Sequence, residues 1–410
     1  MASTVYKLVP YPDTVLILKN PTTRFAVWEQ EGAPVSSADQ AQHDTDDEIN
    51  ELLNAVTVSS LAELPEQDQP GETICDVDRG SDAESDKSFG NSPTLTSTAS
   101  AADCNEGDDD DPNTFRLAVF EQHSVVLPSG FPHYLVSSEH LKLSSSTFAD
   151  MITKENKLDG AGRYYVVLED CDEEALHILL NILHLKNRQV PREVGLEMLA
   201  KIAVLADRYN CVEAVEVFID VWEDVTLGTH PVPSQYCREL ILWLYVTQVF
   251  HMSQTFYEVT ATAIEYGFDG RLRTMGLPIP TTISDEINRR RWASLRLVSE
   301  LLQDRLSALR DPNYTCSLRK ESSFQCSSIL LGTLMKKMDA AGFSSDFERP
   351  YPGVSIHEAK HKITKFKAVK WCDPSVSEKY HSCTLVKRLG KTKAWLVEGS
   401  QGLELGRFEE

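Results

Sequence analysis

The sequence predicts an α+β fold in which a small sheet is flanked by a cluster of helices and followed by an all-α extension. Short runs of β-branched and aliphatic residues, such as 13–19 and 163–168, indicate strands. Apolar residues recur at i, i+3 and i+4 through 172–222 and dominate 234–345 as well, which indicates helices. An acidic, weakly apolar stretch at 36–111 separates the first strands from the rest of the chain.

Strands are predicted where β-branched and aliphatic residues concentrate or alternate with polar ones: 13–19, 25–28, 115–119, 133–136 and 163–168. Asn20 and Pro21 supply turn chemistry between the first two. The first two predicted strands would form an opening hairpin, and the others follow the acidic stretch.

Helix starts are predicted from capping residues. Ser145 precedes a short apolar face that begins at Phe148, and Asp172 precedes Glu173 and Glu174, which favour the first turn of a helix. Further helices are predicted from periodic apolar residues within 196–206, 212–222, 240–250, 284–309 and 324–338. Residues 240–250 are apolar on several faces, which predicts a central, buried helix.

The net charge of −22 is concentrated in one part of the chain. Residues 36–111 contain 21 Asp and Glu against Arg79 and Lys87, a net charge of −19. Such a stretch buries too little apolar surface to offset its backbone entropy, so we expect it to be disordered. The rest of the chain carries only −3, so the global charge says little about partners.

Composition divides the 410 residues into segments, each with its own expected role. These are opening strands of the core (1–31), a disordered acidic insert (32–111), the remainder of the core (112–229), a helical extension (234–345) and a small basic C-terminal segment (346–410). The last segment includes ten Lys and Arg against three acidic residues within 357–393.

Several sequence features bear on location. No apolar run approaches the length of a membrane span, and the N-terminus lacks the pattern of a signal peptide. The nine cysteines, an odd number at irregular spacing, favour reduced thiols over a disulfide framework. We therefore expect a cytoplasmic or nuclear protein.

The order of elements and several dispersed motifs identify a family. The quoted segments are 13–18 (Asp-Thr-Val-Leu-Ile-Leu), 136–141 (Val-Ser-Ser-Glu-His-Leu) with Ser145 and Phe148 after it, 167–183, and 199–209 (Leu-Ala-Lys-Ile-Ala-Val-Leu-Ala-Asp-Arg-Tyr). They resemble the opening strand, the strand-to-helix signature and the later helices of the BTB/POZ domain. Segments 187–191, 196–203, 327–332 and 351–353 are similar to the fungal subgroup of that family.

The resemblance implies a non-catalytic protein–protein interaction module that serves as a scaffold. It implies self-association or hetero-association through the opening strand and first helix, and recruitment of a cullin ubiquitin-ligase scaffold as an adaptor. In cullin-binding relatives, an apolar-x-Glu element follows the helix that carries the Phe. The corresponding partner-binding candidates here are Phe148, Met151, Ile152 and Glu155. No enzyme activity, cofactor, metal or membrane partner is predicted, and nucleic acid is a less favoured partner.

Two alternative functions remain open. In the first, the chain is a nuclear regulatory factor whose acidic insert binds proteins and whose basic tail contacts nucleic acid. In the second, it is a zinc hydrolase, because His357, Glu358 and His361 match the HExxH pattern of zinc proteases. Charged Lys360 and Lys362 within and beside that pattern favour a solvated basic surface instead.

A structural zinc site is a further alternative near the C-terminus. Its candidate ligands are Cys316, Cys326, Cys372, His381 and Cys383. Spacings of ten and eleven residues between the cysteines are looser than the usual C-x2-4-C pairs. On spacing alone, the sequence favours buried or free thiols over zinc.

Overall fold

The computed structural model describes residues 4–28, 130–153, 162–343, 348–366, 371–372, 380–381, 383, 385 and 401–408. Within them the fold is mixed α+β, as predicted, with a four-stranded sheet and ten α-helices. The predicted disordered insert and the predicted strand at 115–119 lie outside the described residues. None of the described helices is long and apolar enough to cross a membrane.

The strands and helices are numbered in chain order. The strands are β1 (Val5–Lys7), β2 (Thr14–Lys19), β3 (His133–Val136), β4 (Tyr164–Glu169), β5 (Trp371–Cys372) and β6 (Tyr380–His381). The helices are α1 (Ser138–Ser144), α2 (Ser146–Met151), α3 (Glu173–Leu183), α4 (Leu196–Arg208), α5 (Val212–Thr229), α6 (Arg238–Val249), α7 (Ser253–Tyr266), α8 (Thr281–Arg310), α9 (Ser323–Ala341) and α10 (Ile356–Thr364).

The main sheet has the strand order β1-β3-β2-β4. Strand β2 runs antiparallel to β3 and parallel to β4, with Thr14 opposite Val136 on one side and Tyr164 on the other. All six residues of β2 are buried, and the strand is paired at both of its edges. Strand β1 pairs in parallel with β3 and forms one edge of the sheet, so the sheet has a strand that the sequence analysis did not predict.

The predicted strand at 25–28 is wrong. These residues are irregular, although they are held in place by Arg238 at the start of α6. The Arg238 guanidinium donates from Nε to the Ala26 carbonyl at 2.8 Å and from Nη2 to the Phe25 carbonyl at 2.9 Å. The backbone carbonyls of this segment are therefore bound by a side chain and not by a neighbouring strand. A pattern of apolar residues does not reveal such a contact.

Capping interactions set the start of the short helices beside the sheet. Ser145 accepts a hydrogen bond from the Phe148 N–H at 2.9 Å and caps α2, and Asp172 caps α3 in the same way, as predicted. Helix α1 is capped from elsewhere in the chain. Asp13 accepts from the Ser138 N–H at 2.6 Å and from the Ser138 hydroxyl at 2.5 Å, which joins the start of β2 to α1.

The helices following the sheet share one apolar core with it. Helix α6 buries nine of its twelve residues, which confirms the central helix predicted from 240–250. Apart from Gly162 and Arg163, the described residues form one compact unit, so the described part of the predicted extension at 234–345 belongs to the same unit as the sheet.

Candidate functional site

The predicted partner-binding residues lie on or beside α2, and they differ in exposure. Phe148 and Ile152 are buried in the core, where the Phe148 ring stacks on Tyr209 with ring centroids 4.5 Å apart. Met151 is half-buried, and Glu155 lies outside the described residues. Phe148 and Ile152 therefore anchor α2, and direct partner contact by the predicted set stays a prediction that rests on Met151 and Glu155.

An exposed apolar residue that the sequence analysis missed lies on the preceding helix. Leu143 on α1 is 90% exposed, whereas Leu141 is fully buried. Residues two apart on a helix lie on nearly opposite faces, so burial of Leu141 turns Leu143 towards solvent. The two-residue spacing of Leu141 and Leu143 could have indicated in the sequence that one of them is exposed. Helices α1 and α2 thus each present an apolar side chain that is not fully buried.

A neutral histidine anchors the start of α1 to the end of α3. The Ser137 N–H donates to Nε2 of His184 at 3.1 Å, and Nδ1 of His184 lies 2.8 Å from the Leu180 carbonyl. Nε2 must accept, so the proton is on Nδ1 and the ring is uncharged. Burial lowers the pKa of His184 to about 4, which keeps it neutral near pH 7. The ring also stacks on His140 at a centroid distance of 5.4 Å.

Strand β1 forms one edge of the main sheet, and β4 forms the other. The predicted opening strand corresponds to β2, which is paired on both sides. In β1, Val5 is 47% exposed and Lys7 is exposed, while Tyr6 packs inward and donates from its hydroxyl to Glu173 at 2.8 Å. The strand through which the resemblance implies association therefore lies inside the sheet and not at its edge.

A cleft of about 530 Å³ lies beside the irregular segment 22–26 and the C-terminal half of α4, and residues 275–278 also line it. Three of its charged groups, Asp172, Lys201 and Asp207, have partners within the fold. Lys201 contacts Asp172 at 2.9 Å and Glu197 at 3.1 Å, and Asp207 accepts from the Tyr245 hydroxyl at 3.0 Å. These pairings support a structural role for the charges of the cleft.

The HExxH residues lie on α10, which does form a helix. His357 is exposed and stacks on Tyr266 with a centroid distance of 4.7 Å, and His361 is exposed as well. Glu358 pairs with Lys362 at 2.7 Å. Within the described part of the chain, the only grouping of three or more candidate metal ligands is elsewhere, so α10 gains no third ligand there.

That grouping consists of three of the five cysteine and histidine candidates, which we call the thiol cluster: Cys316, Cys326 and Cys383. Their Sγ atoms all lie within 4.8 Å of one another, and those of Cys316 and Cys383 are 3.5 Å apart. Cys316 lies between α8 and α9, Cys326 lies in the first turn of α9, and Cys383 follows β6. Spacing in the sequence gave little sign of this cluster because the fold, not the chain, brings the residues together.

Two thiols of the cluster differ in acidity. Burial raises the pKa of the Cys316 thiol, but hydrogen bonds from the N–H groups of Arg319 and Leu318 and with the Cys383 and Cys326 thiols together bring it below its ordinary value. Burial raises the pKa of the Cys326 thiol to about 12. Cys316 is therefore the first of the two to ionise, because backbone donors point at its sulfur.

No family model, no curated protein and no solved structure matches this chain. The function is therefore inferred from the residues and geometry of the chain itself.

Proposed function

We propose that the chain is a non-catalytic protein–protein interaction module of the BTB/POZ type. One observation carries the proposal, namely the topology around β2. This strand pairs antiparallel with β3 and parallel with β4, two short helices connect β3 to β4, and three helices follow. This order of strands and helices supports the proposal, because the resemblance of the sequence motifs rests on the order of elements.

The described surfaces support an interaction role. Leu143 on α1 is almost fully exposed, and Met151 on α2 is half-buried. An apolar side chain held on a short, well-anchored helix loses little conformational entropy when a partner covers it. Strand β1 is an edge strand among the described strands, and addition of a strand from a second chain to such an edge is a recurring mode of protein association. We propose α1–α2 for a cullin scaffold and β1 for self-association.

Binding of the purified full chain to a cullin scaffold, measured by calorimetry, tests the first surface. We expect a dissociation constant in the micromolar range or tighter, and at least tenfold weaker binding for the double variant Met151→Arg with Glu155→Lys. A tenfold loss equals about 1.4 kcal/mol, which is ordinary for an interface residue at the centre of contact. Ile152 is left unchanged because it is buried and its replacement would damage the core.

The matched control is Val217→Arg, because Val217 is 74% exposed on α5 and its replacement makes the same change in charge as Met151→Arg alone, away from α2. Sedimentation of the full chain and of Val5→Lys measures self-association through β1. Cullin binding that Val217→Arg retains and the double variant loses supports an adaptor. A dimer that Val5→Lys weakens supports a self-associating scaffold. A chain that shows neither behaviour at high concentration would overturn the proposal.

A further inference from the structure

The thiol cluster joins two parts of the chain that are distant in sequence. Cys316 lies in the connection between α8 and α9, and Cys326 lies in the first turn of α9. Cys383 belongs to the basic C-terminal segment. The three thiols of the cluster are wholly or partly buried, and none of them forms a disulfide. Three sulfur atoms converging from separate segments indicate more than apolar packing of single cysteines.

The spacing of the sulfurs is close to that of a metal site. A tetrahedral zinc ion with Zn–S bonds of about 2.3 Å places its sulfur ligands about 3.8 Å apart. The Cys316 and Cys383 sulfurs are 3.5 Å apart, and every pair in the cluster lies within 4.8 Å. Shifts of a few tenths of an ångström to about one ångström would bring all three into a zinc coordination shell.

Hydrogen-bond donors surround the same sulfurs. The N–H groups of Leu318 and Arg319 both donate to Sγ of Cys316 at 3.4 Å. The Tyr314 hydroxyl lies 3.7 Å from Sγ of Cys326, and the Ser317 hydroxyl lies 3.8 Å from Sγ of Cys383. Donors of this kind stabilise thiolates and orient them as metal ligands.

We propose that Cys316, Cys326 and Cys383 bind a structural zinc ion through their Sγ atoms. Each thiol releases its proton to solvent, and three Zn–S bonds form, with no change in oxidation state. The ion would fasten the C-terminal segment to the α8–α9 connection. Thiolate ligands favour zinc over magnesium or calcium, which prefer oxygen.

A fourth ligand would complete the tetrahedron, and the chain offers two candidates. Cys372 and His381 belong to the β5–β6 pair, in which Trp371 is opposite His381 and Cys372 is opposite Tyr380. This pair immediately precedes Cys383 in the chain. The side chains of Cys372 and His381 lie outside the described residues, so the choice between them is left to experiment.

The test begins with the metal content of the full chain, purified under reducing conditions without chelator. We expect one zinc ion per chain by elemental mass spectrometry and at least a tenfold loss in Cys326→Ser. The matched control is Cys237→Ser, which removes a half-buried thiol outside the cluster and should retain the zinc. Circular dichroism of each variant shows whether the helices remain folded.

A measurement on the unmodified chain keeps the test independent of variant folding. Cobalt added to the metal-stripped, reduced chain should give tetrahedral visible bands and thiolate-to-cobalt charge transfer in the near ultraviolet, and zinc should displace both. Peptide mapping without reductant gives the rival outcome. No zinc and no sulfur-to-cobalt band, or a disulfide between Cys316 and Cys383 in the freshly isolated chain, would overturn the site.

The same metal assay identifies the remaining ligand. Loss of zinc affinity in Cys372→Ser or in His381→Ala, but not in both, supports the site and assigns its fourth position. Retention by both variants supports a three-thiolate site completed by water. Loss of zinc in the control Cys237→Ser together with the cluster variants contradicts the assignment, because it would place the metal elsewhere.

Discussion

At the scale of single residues, a few polar side chains hold the short helices against the sheet. Asp13, just before β2, caps α1, and Ser145 caps α2. His184 accepts a hydrogen bond from the Ser137 N–H where the chain leaves β3. Each interaction satisfies a backbone donor that would otherwise be buried without a partner. His184 is the most sensitive of these to pH, since its acceptor role requires a neutral ring.

Acid should destabilise the protein through His184. Its folded-state pKa of about 4 lies below the ordinary value of 6.5, so the unfolded chain takes up a proton first. The contribution of neutral His184 to the free energy of unfolding is fully present above pH 6.5 and is lost as the pH falls towards 4. The contribution of this one residue is about 3 kcal/mol. Urea unfolding at several pH values should show that acidification lowers the free energy of unfolding less in His184→Gln than in the unmodified chain.

The control for that measurement is His361→Gln, which changes an exposed histidine on α10. This variant should keep the pH dependence of the unmodified chain. Burial also lowers the pKa values of His133 and His177, so His184→Gln should reduce the acid effect without abolishing it. Equal pH slopes for His184→Gln and the unmodified chain would mean that the ring at 184 is not held neutral.

At the scale of elements, Arg238 at the start of α6 orders the segment that follows β2. Its guanidinium donates to the Phe25 and Ala26 carbonyls and contacts Glu197 of α4 at 2.8 Å. The segment at 25–28 thus depends on a side chain from a distant helix. The planar fork of Arg serves several acceptors at once, which a Lys ammonium does not reproduce.

Arg238→Lys should loosen this segment while leaving the sheet intact. We expect faster amide hydrogen exchange at 25–28, equivalent to a local loss of about 1–3 kcal/mol, because hydrogen bonds to a charged group are lost. Exchange in β2 should not change. Arg296→Lys is the matched control, since Arg296 is exposed and pairs only within α8, with Glu300. Equal exchange at 25–28 in both variants would contradict the role of Arg238.

At the scale of the whole molecule, the sheet and the α6–α10 region behave as one compact unit with a shared core. Helix α6 lies against α4, and the fully buried Tyr245 of α6 donates to Asp207 of α4 at 3.0 Å. A composition boundary near 230 therefore does not separate two independently packed cores. We expect the unit to unfold cooperatively.

Leu244→Ala in α6 should therefore destabilise the sheet as well. Leu244 is fully buried, and its truncation costs about 2–5 kcal/mol. Hydrogen exchange by global opening should accelerate in β2 as much as in α6. Leu297→Ala, which truncates a 40% exposed side chain on α8, is the control and should change neither. Faster exchange confined to α6 would show that the extension unfolds on its own.

The local elements could be predicted from the amino-acid sequence. The β-branched run at 14–19, the caps at Ser145 and Asp172, and the apolar α6 all follow from patterns that act over a few residues, because propensity and capping are local. The mixed α+β class followed from those elements. The sequence also gave the candidate partner residues, but it did not show that Phe148 and Ile152 face the core.

Contacts between residues that are far apart in the sequence became visible in the folded structure. It gave β2 neighbours on both sides, placed β1 at the edge and turned Leu143 outward. It also brought Cys316 and Cys326 to Cys383, although their spacing along the chain favoured buried or free thiols over a zinc site. The physical reason is that side-chain clusters form where packing of distant segments brings them together, and one-dimensional spacing carries no record of that packing.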